Sequence, residues 1–431
     1  MLIKRKAAYG RQFIALINRY EKVFLALLSV VIVVSGTYWY RQYSSINGGT
    51  PTVGGTYVEG IVGSKNELEQ VAAKLTKAGL LTVNKDGNLD NLLITGWTVN
   101  ADQTVYDFTL KDGVPIADIQ NDLQENIDLL GEATLSTNGQ HLIVTLAQAN
   151  PNLPFLLAEP LFDFGPYKLS SITDQMAVFT RNTKENAQPT YINKIVVHSY
   201  PNQSSLEQAL SRQKIDGAIV TNQTATPRNY QAHSFDLSRG YVLTFNTNQS
   251  PFRVAADRIQ LLNNQPGNIK SFTLTVPNEE PYLTLAKTQI ADWQALGVTV
   301  TMDAKSLDDV NNLLISRSFQ AVVTGVNYGF ELDPYYIWSS TQIRPPGNNI
   351  SGIKSTSLDD YLGRIRSSSS LKDRASLVQN LNSLLVQEGA GKVLETEQAR
   401  LMVSDAVNYV EPYGALTAAD HWQNMYLWSI N

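Results

Sequence analysis

Val23 to Tyr40, VFLALLSVVIVVSGTYWY, is the only uncharged run of the sequence that is also mostly large and apolar. A helix of about 20 apolar residues crosses the hydrocarbon core of a bilayer, so the run reads as one short membrane span. Tyr38, Trp39 and Tyr40 suit a headgroup interface, and Arg41 closes the run. Lys4, Arg5, Lys6, Arg11, Arg19 and Lys22 precede it against a lone Glu21. The positive-inside rule therefore keeps residues 1–22 in the cytoplasm and puts everything after Arg41 outside the cell membrane. The alternative is a cleaved secretory leader with Val34 and Gly36 at the cleavage positions. The basic approach is long for a leader, and Phe13, Ile14, Leu16 and Ile17 give it an apolar stripe suited to the inner leaflet. An uncleaved signal-anchor fits better.

An anchor over 23–40 leaves about 390 residues outside, too many for one core, so two lobes are expected. Residues 1–41 hold seven of the 34 Lys and Arg and one of the 39 acids, which leaves 27 basic and 38 acidic residues beyond them. That acidic exterior excludes nucleic acid as a partner. Cysteine is absent, so the exterior part is held together by burial without disulfides or a thiol for lipid attachment. Tethering falls to the helix in the bilayer.

The polar, Gly- and Ser-containing stretch from Arg41 to Val53 has linker composition. Gly55 to Gly63 then reads as a strand, and Glu67, Val71 and Leu75 as a helix stopped by Gly79. The turn Asn84 to Gly87 separates one strand pair, and Trp97–Val99 with Val105–Leu110 forms another. A helix is expected from Asp118 to Leu130 and a strand from Leu142 to Leu146. Ile195–Ser199, a helix capped by Ser204 over Ser204–Arg212, and Gly217–Val220 read as a β-α-β unit. A clearer series follows. Phe272–Val276 alternates; Leu283, Ala286, Ile290, Trp293 and Leu296 line one helix face; VTVTM follows; Ser306 caps another helix; and Phe319–Gly325 is the next strand. Such a series makes an open, largely parallel sheet, whose ligands sit beyond the carboxyl ends of the strands. A last strong helix spans Leu371–Gln387, with Ser370 as cap and Leu377, Val378, Leu381, Leu384 and Leu385 on one face.

No G-x-S-x-G elbow or H-E-x-x-H pair is present, and His141, His198, His233 and His421 are scattered. The reading is a binding protein without catalysis, cofactor or metal. Chemistry concentrates in Gly325 to Trp338, GVNYGFELDPYYIW, just past a parallel strand. Its candidate ligand-binding residues are Asn327, Tyr328, Phe330, Glu331, Asp333, Tyr335, Tyr336 and Trp338, an aromatic wall around two carboxylates. A desolvated carboxylate there suits a ligand's ammonium group. Glu331 is the better candidate, because Asp333 precedes Pro334 and such a pair commonly begins a turn.

These segments, taken together, resemble the extracellular solute-binding proteins of family 5, the dipeptide- and oligopeptide-binding components of ABC importers. The matches follow the family's order: GGTYVEGIVG (Gly54 to Gly63); Ala78 to Val114, with a tryptophan and the strand DFTLKDGV; GPYKL (Gly165 to Leu169); INKIVVHSY and LEQALSRQKIDGAIV up to Val220; LTFNTNQSPF (Leu243 to Phe252); and FQAVVTGVNYGFELDP (Phe319 to Pro334). NNISGIKSTSLDDYL (Asn348 to Leu362) and the last helix match what comes after.

The resemblance implies an α/β, two-lobed periplasmic-binding-protein-like fold (type II, cluster C) behind the transmembrane helix. Residues 54–247 with a return over 410–431 would form one lobe and 248–409 the other. It implies capture of a peptide or similar oligomer for ABC permease subunits; the alternative is a receptor or assembly protein using the same fold without transport. Two departures stand out. LLNNQPGNIK alone bridges Gln260 and Ser271 where the family carries a long insert, so the second lobe is reduced. Val326 stands where a tryptophan is usual, and Glu331 is the nearest carboxylate to the Asp333-Pro334 pair where the family places an Asp for the ligand's amino group.

Overall fold

The computed structural model describes residues 53–221, 224–344, 347–408, 410 and 418–430, with isolated positions 28 and 35 before them. The expected span over 23–40, those two positions apart, and nearly all of the linker lie outside the described residues. Among the described residues no helix is long and apolar enough to cross a membrane.

The first half is built around β1 (Gly54–Val62), which lies parallel to β10 (Ile192–Tyr200) on one side and β11 (Gly217–Val220) on the other. Helix α1 (Lys65–Thr76) begins in a capping box between Ser64 and Glu67 and buries Leu68, Val71 and Leu75. A smaller subdomain follows. The hairpin β2 (Leu81–Val83) and β3 (Leu89–Asn91) turns at Asn84–Gly87. A four-stranded antiparallel sheet comes next, from β4 (Ile94–Val99), β5 (Val105–Leu110), β6 (Ala133–Asn138) and β7 (His141–Leu146) in the order β4-β5-β7-β6. Helix α2 (Ile116–Glu125) packs Ile119 and Leu123 on Tyr106, Phe108, Leu142 and Val144 of that sheet. It stops earlier than expected: the backbone tightens into a 3-10 turn over Ile127–Leu130.

The short helix α3 (Leu153–Leu156) closes the subdomain, and β8 (Tyr167–Ile172) with β9 (Met176–Arg181) forms the outer edge of the main sheet. Helix α4 (Gln203–Ser211) carries the chain from β10 to β11. Its cap is Asn202, which accepts from the Ser205 amide, so the start lies ahead of the expected Ser204.

Two strands not expected at their full length join the halves. β12 (Tyr230–Phe245) and β16 (Gly391–Ser404) run antiparallel over almost their whole course, with an irregularity between Asp236 and Gly240. β16 also pairs with β11, and the carboxyl half of β12 pairs with β15 (Ala321–Asn327). The result is one ten-stranded sheet, β14-β13-β15-β12-β16-β11-β1-β10-β9-β8. The expected parallel series is present within it: β13 (Ser271–Pro277) is parallel to both β14 (Thr299–Lys305) and β15. The whole sheet is mixed rather than largely parallel, because the two joining strands and the β10-β9-β8 edge pair antiparallel.

On one face of this second half, α5 (Ala255–Leu262) and α6 (Tyr282–Ala295) bury Leu261, Ala286, Ile290 and Trp293 against Phe245, Phe272 and Val323. On the other lie α7 (Leu307–Ser316), α8 (Tyr335–Trp338), α9 (Thr356–Ser367) and α10 (Leu371–Gln387). Ser306 and Ser370 cap α7 and α10 as their spacing predicts.

A 3-10 segment, Ala418–Leu427, returns to β1. His421 lies 2.7 Å from one Glu59 carboxylate oxygen, and the Tyr57 hydroxyl donates to the other at 2.7 Å. All three side chains are shut away from water. A buried carboxylate is tolerated only where its oxygens are satisfied, and here both are.

A side chain at Gly217 would run into the Tyr57 hydroxyl that makes this arrangement. Gly217→Ala is expected to lower stability by about 2 kcal/mol through overpacking. Tyr57→Phe, which strips one donor from the buried Glu59, should also cost stability; denaturant titration of the double variant should show the two losses falling short of additive, because the clash and the hydroxyl are removed together.

Candidate ligand-binding site

The site grows from the carboxyl end of β15. Val322, Thr324, Val326 and Tyr328 alternate onto its buried face. On its outer edge β13 pairs with it only at Ala321 and Val322. That ladder ends at Thr275 and Val322, and further along β15 Gly325 and Asn327 are exposed.

The chain then folds back tightly. The Tyr328 amide donates to Ser238 O at 2.7 Å, the Leu332 amide to Gly329 O at 3.2 Å and the Asp333 amide to Tyr328 O at 2.6 Å. Gly329 takes φ +73° and Leu332 φ +54°. A branched side chain in the left-handed region is strained, and its surroundings must hold it there. The Asp333 carboxylate accepts from the Tyr335 amide at 3.0 Å and so starts α8, as the Asp-Pro pair predicts.

A cavity of about 1000 Å³ opens between this loop, α7 and α8. Six of the eight expected residues line it: Asn327, Tyr328, Glu331, Asp333, Tyr336 and Trp338. Tyr328 and Trp338 contribute as much to the core beneath as to the wall, packing with Val242, Leu358 and Leu381. Burial pushes the Tyr328 hydroxyl up to about 12. Phe330 points elsewhere, into an apolar cluster with Val83, Phe155 and Leu371. Tyr335 turns to the Arg366 guanidinium, which sits 3.9 Å from its ring centre and 5.1 Å from that of Tyr336.

The two carboxylates have different surroundings. Asp333 is saturated: Arg366 Nε donates to it at 2.8 Å and Asn152 Nδ2 at 2.6 Å. Glu331 is enclosed, with its Oε2 lacking any partner. Burial raises its carboxyl to about 7, Asp333 and Glu159 push the same way, and Arg374 offsets part of the rise. A proton shared near neutrality and an unsatisfied oxygen make Glu331 the acid able to take a cation.

Three polar residues of this region escaped sequence reasoning: Arg366, Arg374 and Asn152. Arg374 donates through Nη1 to Asn152 Oδ1 and Glu331 O, both at 2.8 Å, and through Nη2 to Arg366 O at 2.9 Å. Asn152 lies in the Pro-punctuated NPNLP, which carries no signal. Arg374 did leave one: it occupies the buried stripe of α10 with Leu371, Leu381 and Leu385. A charge on an apolar helix face implies a partner.

Asp333→Asn should cost about 3 kcal/mol, because it leaves the Arg366 guanidinium enclosed without its counter-charge. Glu331→Gln should act in the opposite sense. A carboxyl raised in the folded state loses stability as pH climbs from about 4.5 to 7, so the variant gains on the wild type across that window, by up to about 3 kcal/mol above it. Thermal melts at pH 5 and pH 8 check both.

No family profile matches the chain, and no curated protein matches its sequence. Solved structures do. HbpA2 from Haemophilus parasuis aligns with TM-score 0.69 at 14% identity, over 88% of this chain and 100% of that one. A putative peptide binding protein AppA from Clostridium difficile aligns with TM-score 0.64 at 14% identity, over 88% and 100%. A nickel ABC transporter structure from Bacillus halodurans aligns with TM-score 0.64 at 12% identity, over 86% and 98%. The chain has the mixed α/β, two-lobed fold of periplasmic binding proteins.

Proposed function

We propose that this protein captures a peptide, or a similar oligomer with a free amino group, at the outer face of the cell membrane. Residues 23–40 would hold it in the bilayer as a signal-anchor, and the bound ligand would pass to an ABC permease. The observation that carries the ligand class is the exposed edge of β15 at Gly325 and Asn327, placed beside the unpartnered Glu331 carboxyl in one cavity. An extended peptide can add to such an edge through its backbone, while its terminal ammonium pairs with Glu331. Asn327 and Tyr336 supply a polar group and an aromatic face at the exposed side. Peptide- and nickel-related proteins share the fold, and among the described residues no cluster of His, Asp and Glu is arranged to hold a metal ion.

A second reading, a receptor or assembly protein that binds without transport, is favoured by the polar junction of Asn152, Asp333 and Arg374, which ties the halves of the fold directly.

Isothermal calorimetry with free and N-acetylated tripeptides tests the proposal. Glu331→Gln should weaken binding of the free peptide at least roughly tenfold, about 1.4 kcal/mol, and leave the acetylated one unchanged. Below about pH 7 binding should release a proton from Glu331. Equal affinity for both peptides in wild type and variant would remove the ammonium from the recognition. Stabilisation by nickel alone would replace peptides with a metal complex.

A further inference from the structure

The small subdomain of the first half meets the second half directly, away from β12 and β16. Phe330 and Leu371 pack with Val83 and Phe155. The Leu371 amide donates to Gly87 O at 2.8 Å and the Ser370 hydroxyl to Asp86 O at 3.1 Å, while Asn88 and Ser370 form an antiparallel bridge. The Leu371 amide is in the first turn of α10 and has no acceptor in its own helix; its partner is across the junction.

The polar part lies deeper. Arg374 is 1% exposed, Asn152 1% and Asp333 4%. The Asn152 carboxamide bridges them, accepting from Arg374 at 2.8 Å and donating to Asp333 at 2.6 Å. The Arg374 guanidinium also covers the Phe155 ring at 4.1 Å from its centre. Opening the junction would strip the Asn152 carboxamide of both its side-chain partners and take one partner each from Arg374 and Asp333, which keep their remaining bonds within the second half.

We propose that this junction fastens the two halves in the ligand-free protein, with Arg374 as the positioning residue. The same guanidinium holds the Glu331 carbonyl, next to Leu332 in the left-handed region, so the residue that meets Asn152 across the junction also supports the site loop. Binding then takes place in a preformed cavity of the second half, and the angle between the halves does not report occupancy.

The absence of cysteine allows a direct test in the full-length chain in washed membranes. Bridged antiparallel residues have Cα atoms about 4.5–5.5 Å apart, inside the disulfide range of about 4.4–6.8 Å. Asn88→Cys with Ser370→Cys should therefore cross-link on oxidation at the same rate with and without a tripeptide mixture. Arg374→Ala should slow the reaction at least roughly tenfold by populating the opened form. Asn152→Ala should slow it too, and serves if the arginine variant fails to fold. Cross-linking that requires the tripeptides, that fails in both conditions, or that is indifferent to both variants overturns the proposal. A cross-link formed without peptides in a protein that binds none of them supports the fastening and counts only against the peptide reading.

Discussion

The β12–β16 ladder is the interaction on which the rest depends. Among the described residues it is the longest antiparallel pairing that spans both halves, and it carries β11 and β1 on one side and β15 on the other. The amino half of β12 and the carboxyl half of β16 belong to one core; the opposite halves belong to another. Because β15 is registered on β12, the position of Gly325 and Asn327 is set by the ladder, with Tyr241 opposite Gly325 and Arg239 opposite Asn327. The exposed edge is thus attached to the most extensively paired strand among the described residues.

Upon this frame the two acids of the site divide their tasks by surroundings rather than chemistry. Asp333 has three donors and orders the start of α8 and the Arg366 stack. Glu331, two residues away, lacks a partner on one oxygen and lies near other acids. A carboxylate that is fully satisfied has little left to offer a ligand. One that is not carries a standing cost that a cation can remove, so the fold gives up stability at Glu331 in return for an available charge.

Much of this was legible in the chain wherever one periodicity ran uninterrupted. The α10 boundaries, Leu371–Gln387, coincide with the apolar stripe and the Ser370 cap, and β13, α6, β14 and α7 follow their alternation. β12 and β16 were not legible at full length. Asp236 and Arg239 on one, and Glu395 and Glu397 on the other, break the alternation where the strands pass between cores and face water. Much of the aromatic run at Gly325–Trp338 lines a cavity, yet Phe330 serves the junction with Val83 and Phe155, since composition carries no direction. Arg374 and Asn152, 222 residues apart in sequence, could be paired only in three dimensions.

The tie between Glu59 and His421 closes a loop of 362 residues. β1 is among the first strands of this region to be synthesised, and Trp422, Met425 and Trp428 complete the core against which it lies. Contacts so distant in sequence form late, after the entropy of the whole intervening chain has been spent. The first half of the fold therefore cannot mature behind the ribosome as its residues emerge. It must wait, with an open apolar face, until residues 418–430 have emerged.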